Sequence, residues 1–295
     1  MAQIYVSTIG TVPQPNGATE IESLKSHLRT TWMAGDYDHF SRYLENEARA
    51  FYQRLAVPPG STLLDVACGS GQLALLAARD GIDVTGIDIA ENRIARANAR
   101  ATAEQLQACF QVADAEELPF HDGSFDFVVS LLGAMFALRP YRVASELVRV
   151  CAPGGTIAMA NWTATGFIGQ MFKVIDRFVI PAHVPSPLLW GDDAAVEERF
   201  GAEVVELNLF RRSFVFRYPF PPRNVVDFLR RGYGPINRAF ASLDVSGRRA
   251  LYRELESLWS AHNRAQGDFT VVETDYLEVI AKRAWPTAKG VWSSI

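Results

Sequence analysis

The spacing of apolar residues changes character along the chain, and the changes mark its organisation. Ile21, Leu24, Leu28 and Trp32 recur at helical spacing until Gly35 breaks the run. A second helix is expected over 40–55, with Phe40, Tyr43, Leu44, Phe51 and Leu55 facing inward and Pro58-Pro59-Gly60 ending it. The pattern then shortens to apolar strands. These are expected at 62–66, 83–88, 108–113, 125–130 and 156–161, with helices from Leu73, over 91–107 and over 141–150 between them. Asp122-Gly123-Ser124 and Pro153-Gly154-Gly155 read as turns. Strands alternating with helices at this spacing predict an α/β fold, a parallel sheet covered on both faces. Right-handed crossovers fix the winding, and a ligand crevice is expected at the carboxyl ends of the strands, where their order reverses.

After Trp162 the alternation stops. Residues 163–200 read as irregular, aromatic and proline-rich; 203–218 and 269–283 read as strand; 220–263 contains helices, the clearest carrying Leu251, Leu255, Leu258 and Trp259. The expected organisation is an N-terminal arm and helical cover over 1–60, then a core over 61–162 that is completed by 201–218 and 268–283. Two insertions, 163–200 and 219–267, would fold over it as a cap.

Composition narrows the classes further. With 48% hydrophobic and 21% charged residues in 295, the chain can bury a core without metal or disulfide staples. A net charge of -4 gives no long-range pull toward nucleic acid or anionic lipid. Cys68, Cys109 and Cys151 are too far apart for a metal site, and free thiols in a reducing compartment are expected. No apolar run reaches the roughly 20 residues of a membrane span, and the first residues lack a secretory pattern, so a cytoplasmic location is expected.

Chemistry concentrates at the strand ends. Gly69-Ser70-Gly71 follows an apolar strand and opens a helix, a place where backbone N–H groups meet nucleotide-like ligands. Asp65 lies inside that strand and needs a partner or a cationic ligand. Asp88 ends the second strand, where one carboxylate can accept from two ribose hydroxyls; Ile89 beside it can stack on a base. Asp114, before Ala115, ends the third strand and can accept from an exocyclic amine. A carboxylate thus stands at or near three successive strand ends.

The run Leu64-Asp65-Val66-Ala67-Cys68-Gly69-Ser70-Gly71 resembles the first motif of class I S-adenosylmethionine-dependent methyltransferases. Asp88, the segment from Asp114 to Phe120 with Phe125-Asp126, and Glu146, Arg149-Val150 and Pro153-Gly154-Gly155 resemble the motifs that follow in the same order. The small-molecule enzymes related to the ubiquinone and menaquinone methyltransferases are the most similar group, and the resemblance covers about 60–162. It implies a Rossmann-like, mostly parallel seven-stranded sheet and S-adenosylmethionine as cofactor. It also implies roles: Ala67 to Gly71 beneath the methionine, Asp88 on the ribose, Ile89 and Ala115 flanking the adenine, Asp114 on its amino group, and the backbone near Ser130 at the methionine end. Ala67 stands where a glycine is frequent. Trp32 and Gly35-Asp36-Tyr37 resemble a segment that closes an aromatic residue over the donor, where a ring face favours a sulfonium.

The acceptor is less legible. Phe167, Met171, Phe172, Phe178, Trp190, Phe228 and Tyr233 supply aromatic and apolar density for a hydrophobic or aromatic small molecule, with Gly232-Tyr233-Gly234-Pro235 at the rim. His183, Tyr37, Tyr233 and His39 are the candidates for a general base, if the acceptor keeps its proton. No metal is expected. Two other readings stay open. Gly69-x-Gly71-x-x-Ala74 with Asp88 also satisfies a dinucleotide fingerprint, as in an NAD(P)-dependent oxidoreductase. The same donor residues would serve a non-catalytic protein that binds S-adenosylmethionine or S-adenosylhomocysteine; a crevice with room for an acceptor favours an enzyme.

Overall fold

A computed structural model describes residues 18–179 and 184–285. The chain opens with helices α1 (Ala18–Met33), α2 (Tyr37–Ser41) and α3 (Glu45–Leu55), a 3-10 turn lying between the last two. Then β1 (Thr62–Val66), α4 (Ala74–Arg79), β2 (Asp83–Asp88), α5 (Glu91–Ala103), β3 (Ala108–Val112), β4 (Phe125–Leu131), α6 (Pro140–Val150) and β5 (Cys151–Trp162) alternate as the apolar pattern requires. They are followed by α7 (Phe167–Asp176), α8 (Asp193–Phe200), β6 (Val204–Tyr218), α9 (Pro222–Gly232), α10 (Gly234–Ser242), α11 (Val245–His262) and β7 (Thr270–Arg283).

The seven strands form one sheet in the order β3-β2-β1-β4-β5-β7-β6. All neighbours from β3 to β5 are parallel; β7 runs antiparallel between β5 and β6. This is the Rossmann-like, mostly parallel sheet expected from the sequence. The order reverses between β1 and β4, so right-handed crossovers send α4 and α5 to one face and α6 to the other. Strand interiors are buried on both sides, as Leu63, Leu64, Val128, Val129, Ile157 and Met159 show.

Two local expectations are corrected. The described residues of 163–200 are not irregular: they hold α7 and α8. Helix α7 (FIGQMFKVID) buries seven of its ten residues and keeps Gln170, Lys173 and Asp176 on the remaining face; its polar stripe is only these three residues long, a short signal among the aromatic and proline residues around it. The Pro153-Gly154-Gly155 turn lies inside β5. Gly154 takes φ +74°, and the pairing with β4 shifts register between Phe125 and Phe127, so the strand absorbs the turn as a bulge. Among the described residues no helix is long and apolar enough to cross a membrane.

Helix α1 packs on α10 through contacts that leave no space. A Cβ on Gly234 would collide with the carbonyl oxygen of Thr31 near the end of α1, and the Asp36 N–H donates to Arg231 O at 3.0 Å. Gly234→Ala is therefore expected to cost about 1–3 kcal/mol by overpacking, read as a lower midpoint in thermal denaturation. An unchanged midpoint would mean that α1 yields freely.

Candidate active site

The first cavity, about 750 Å³, opens where the strand order reverses. Its floor is the carboxyl edge of the sheet: Ala67 and Gly69 after β1, Ile87, Asp88 and Ile89 at the end of β2, Ala113 to Glu116 after β3, and Leu131 to Ala134 after β4. Its roof is α1 and the residues after it, through Lys25, Leu28, Trp32 and Tyr37, with Arg93 at the side.

Each acidic residue is held by the turn beside it. Asp88 Oδ2 accepts from the Gly69 N–H at 2.9 Å and Oδ1 from the Ala90 N–H at 2.8 Å. Burial nevertheless pushes its carboxyl above the ordinary range, against those bonds and nearby Arg93. Asp65 is 2% exposed and accepts from the Ala74 N–H, at the start of α4, at 3.1 Å. Burial pushes it up to about 8, and the charge of Asp88 adds to that. Asp114 Oδ1 accepts from the Glu116 N–H at 2.9 Å, and its other oxygen pairs with Lys25. Lys25 also pairs with Glu116 at 3.0 Å, and Arg139 donates to Glu116 from its backbone N–H and from Nε. Burial acts to raise Glu116, but Arg139 and Lys25 outweigh it and hold the carboxyl below its ordinary value.

Of the residues singled out in the sequence, Trp32, Tyr37, Ala67, Gly69, Asp88, Ile89, Asp114 and Ala115 line this cavity together. Four others lie behind its wall. The Ser130 hydroxyl donates to Val66 O at 2.8 Å and accepts from the Ala134 N–H at 2.9 Å, tying β1 to the loop after β4. Ser70 is buried and bonded to Asp38; Gly71 donates its N–H to Cys68 O. Asp65 faces a smaller cavity shared with Tyr37, Gly69 and Leu131. Lys25 and Arg93 escaped sequence reasoning. Lys25 sits three residues before Leu28 and seven before Trp32, on the helical face already marked as apolar, but its partners lie 89 and 91 positions away. Arg93 is 6% exposed; it donates to Trp32 O at 3.0 Å and stands 4.8 Å over the Tyr37 ring.

A second cavity, about 440 Å³, shares Trp32, Tyr37, Leu132 and Phe136 with the first. Its remaining walls are Phe40, Leu44, Trp162, Ile168, Met171, Phe216, Tyr218, Leu229, Tyr233 and Trp259. Trp32 stands at the junction, edge-on to Phe136 at 4.9 Å and to Tyr233 at 5.9 Å. Met171 and Tyr233 line this cavity as the aromatic insertions led one to expect, whereas Phe167, Phe172, Trp190 and Phe228 are packed in the core behind it. Among the candidate bases, Tyr37 is pushed up to about 12 and Tyr233 is also raised, both by burial. His39 is exposed and packs on Phe228 at 5.2 Å; His183 lies outside the described residues.

Residues 64–159 match the family model described as a methyltransferase domain. An uncharacterised protein of Mycobacterium tuberculosis strain H37Rv is 34% identical over 271 residues, covering 90% of this chain and 97% of its own. The 2-methyl-6-phytyl-1,4-hydroquinone methyltransferase of Synechocystis is 42% identical over 107 residues, 36% of this chain and 33% of that one. A Haemonchus contortus phosphoethanolamine N-methyltransferase, solved with S-adenosyl-L-methionine, superposes with a TM-score of 0.52 at 20% identity, covering 81% of this chain and 53% of its own.

Asp65 offers a direct check on the site's electrostatics. Its folded value near 8 lies above the ordinary 3.8. Between the two, the folded chain holds the proton and the unfolded chain does not, so stability falls as pH rises through that window, by at most about 1.4 kcal/mol per unit. Asp65→Asn keeps an acceptor for the Ala74 N–H and removes the charge. Its thermal midpoint is expected to exceed that of the wild type at pH 8 and to converge on it near pH 4. Equal midpoints at pH 8 would contradict a desolvated carboxylate.

Proposed function

The chain belongs to the class I S-adenosylmethionine-dependent methyltransferases, and we propose that it transfers a methyl group to a small hydrophobic or aromatic molecule held in the second cavity. The observation that carries this reading is the wall shared by the two cavities. Four residues, Trp32, Tyr37, Leu132 and Phe136, border both spaces, so the two cavities adjoin and ligands in them rest on the same side chains.

The residues of the first cavity fit S-adenosylmethionine. In this reading Asp88 takes the ribose hydroxyls, Ile89 and Ala115 flank the adenine, and Asp114 accepts from its amino group. The loop from Ala67 to Gly71, with the backbone from Ser130 to Ala134, holds the methionine part. Asp65, buried behind that loop, supplies negative charge toward the ammonium and ionises more readily as that cation approaches. The bound donor supplies an electrophilic methyl group on a sulfonium. Trp32 and Tyr37 present ring faces and edges around that cation and exclude water from it. Lys25, paired to Asp114 and Glu116, fastens α1 over the donor.

The acceptor side follows from composition. The second cavity is bounded by aliphatic and aromatic side chains, and its ionisable members, Tyr37, Tyr218 and Tyr233, are phenols that burial raises further above their ordinary value, so the lining is uncharged at neutral pH. Such a lining aligns an apolar acceptor and keeps it dry. The partial match to a hydroquinone methyltransferase is consistent with a ring-bearing acceptor. Residues 163–200 and 219–267 act in this reading as the cap, and 1–60 as the cover of the donor.

Calorimetric titration with S-adenosylmethionine tests the donor site. The wild type is expected to bind, and Asp88→Ala to bind about ten- to a hundredfold more weakly, as loss of hydrogen bonds to a charged group implies. Titration with NADH and NADPH is expected to give no heat of binding. Binding of a nicotinamide nucleotide in place of the methyl donor would overturn the assignment.

A further inference from the structure

The second cavity is apolar in outline but not in every atom. Two of its side chains bring polar groups that no described residue satisfies. The Tyr218 hydroxyl and the Trp259 indole nitrogen are buried, and neither has a hydrogen-bond partner among the described residues. Both residues line the second cavity and neither lines the first. Their rings meet edge to face, with centroids 5.8 Å apart, and both also pack on Phe216. They come from β6 and α11, whereas the wall shared with the first cavity comes from α1, α2 and the loop after β4.

Burying a hydroxyl or an indole N–H without a partner costs free energy, and native interiors seldom leave such groups unsatisfied. Two of them, on rings that pack together and line one cavity, are explained most simply by an oxygen of the ligand that pairs with them. Resting on the reading of this cavity as the acceptor site, we propose that Tyr218 and Trp259 form an oxygen anchor that receives a carbonyl, ether or hydroxyl oxygen of the acceptor, on the part of the molecule remote from the methylated atom.

The chemistry narrows the class of molecule. An indole N–H only donates, and a tyrosine hydroxyl kept protonated by burial donates as well as accepts. The matching atom is therefore an acceptor of hydrogen bonds. Among the described residues that line this cavity there is no Lys, Arg or His, so a carboxylate or phosphate would meet no counter-charge from them. A pure hydrocarbon would leave both groups unpaired. The acceptor class that satisfies every wall is a neutral, ring-bearing apolar molecule with an oxygen function at one end. The two donors then also fix which end of such a molecule faces the donor cavity. A site built around polar groups discriminates against an analogue that cannot pair with them far more strongly than an apolar wall discriminates by size.

Equilibrium dialysis of the full-length protein against 2-naphthol and naphthalene tests this. The probes share a ring system and differ by one oxygen. The quantity read is the ratio of their affinities. In Tyr218→Phe that ratio is expected to fall by about tenfold, the loss of one hydrogen bond in a dry site, while naphthalene binds no more weakly than to the wild type. Trp259→Phe is expected to lower the ratio in the same direction. The thermal midpoint of Tyr218→Phe without ligand is expected to equal or exceed that of the wild type, because the substitution removes an unpaired buried hydroxyl; a structural hydroxyl would give the opposite sign. A ratio unchanged in both variants, or a lower midpoint for Tyr218→Phe, would overturn the anchor and leave the acceptor cavity standing. If neither probe binds the wild type while S-adenosylmethionine does, the reading of the cavity as an acceptor site falls, and the anchor falls with it.

Discussion

A parallel sheet wound in both directions has one place where its covering helices part, and here that place is the gap between the ends of β1 and β4. The residues that turn the chain there are under backbone constraint. Ala67, just past β1, has φ +59°, and Leu132, just past β4, has φ +57°. Each is an L-residue in the left-handed region, at a cost of roughly 1–2 kcal/mol. Surrounding bonds hold both in place. The Leu132 N–H donates to Ala160 O at 2.9 Å, and the Cys68 N–H next to Ala67 donates to Ile87 O at 2.9 Å. Gly133 lies so near Ala67 that a side chain there would strike its Cβ and carbonyl oxygen. Ala67 lines the first cavity and Leu132 lines both, so one strained position sits in the floor of the first space and the other where the two meet.

The electrostatics of the crevice follow from the same geometry. Strand ends present carboxylates where turns present N–H groups, and Asp65 and Asp88 are stabilised by backbone donors, short of what a paired cation would provide. Both carboxyls stay raised as a result. The third strand end differs: Asp114 and Glu116 take a full positive charge from Lys25. At one end of the cavity the acids are thus paired with Lys25, while at the other Asp88 is met by backbone donors and by the nearby charge of Arg93.

What was legible in the sequence was what local order determines. The run TLLDV and the run DVTGID were placed to the residue because each is a short apolar stretch bounded by turn formers. The strand-end acids were found because the chain order of an α/β unit dictates which residues reach the carboxyl edge. Helix α7 is not legible because its polar stripe rests on Gln170, Lys173 and Asp176 alone, too short a pattern to stand out from the aromatic and proline residues around it. Lys25 was not found because its meaning lies in partners far along the chain. The walls of the second cavity come from α1, α2, β5, α7, β6, α9 and α11, and only their meeting in space distinguishes Met171, which lines it, from Phe172, which does not.

That scattering has an evolutionary consequence. The floor of the first cavity is drawn from one contiguous stretch, Ala67 to Ala137, whereas most of the second is contributed by segments outside it. On the proposed reading, substitutions in α7, β6, α9 or α11 reshape the acceptor cavity and leave the floor of the first cavity untouched. Lineages descended from one ancestor would then share the stretch 64–159 and diverge in chemistry, and inheritance of that stretch carries little information about the molecule each descendant modifies.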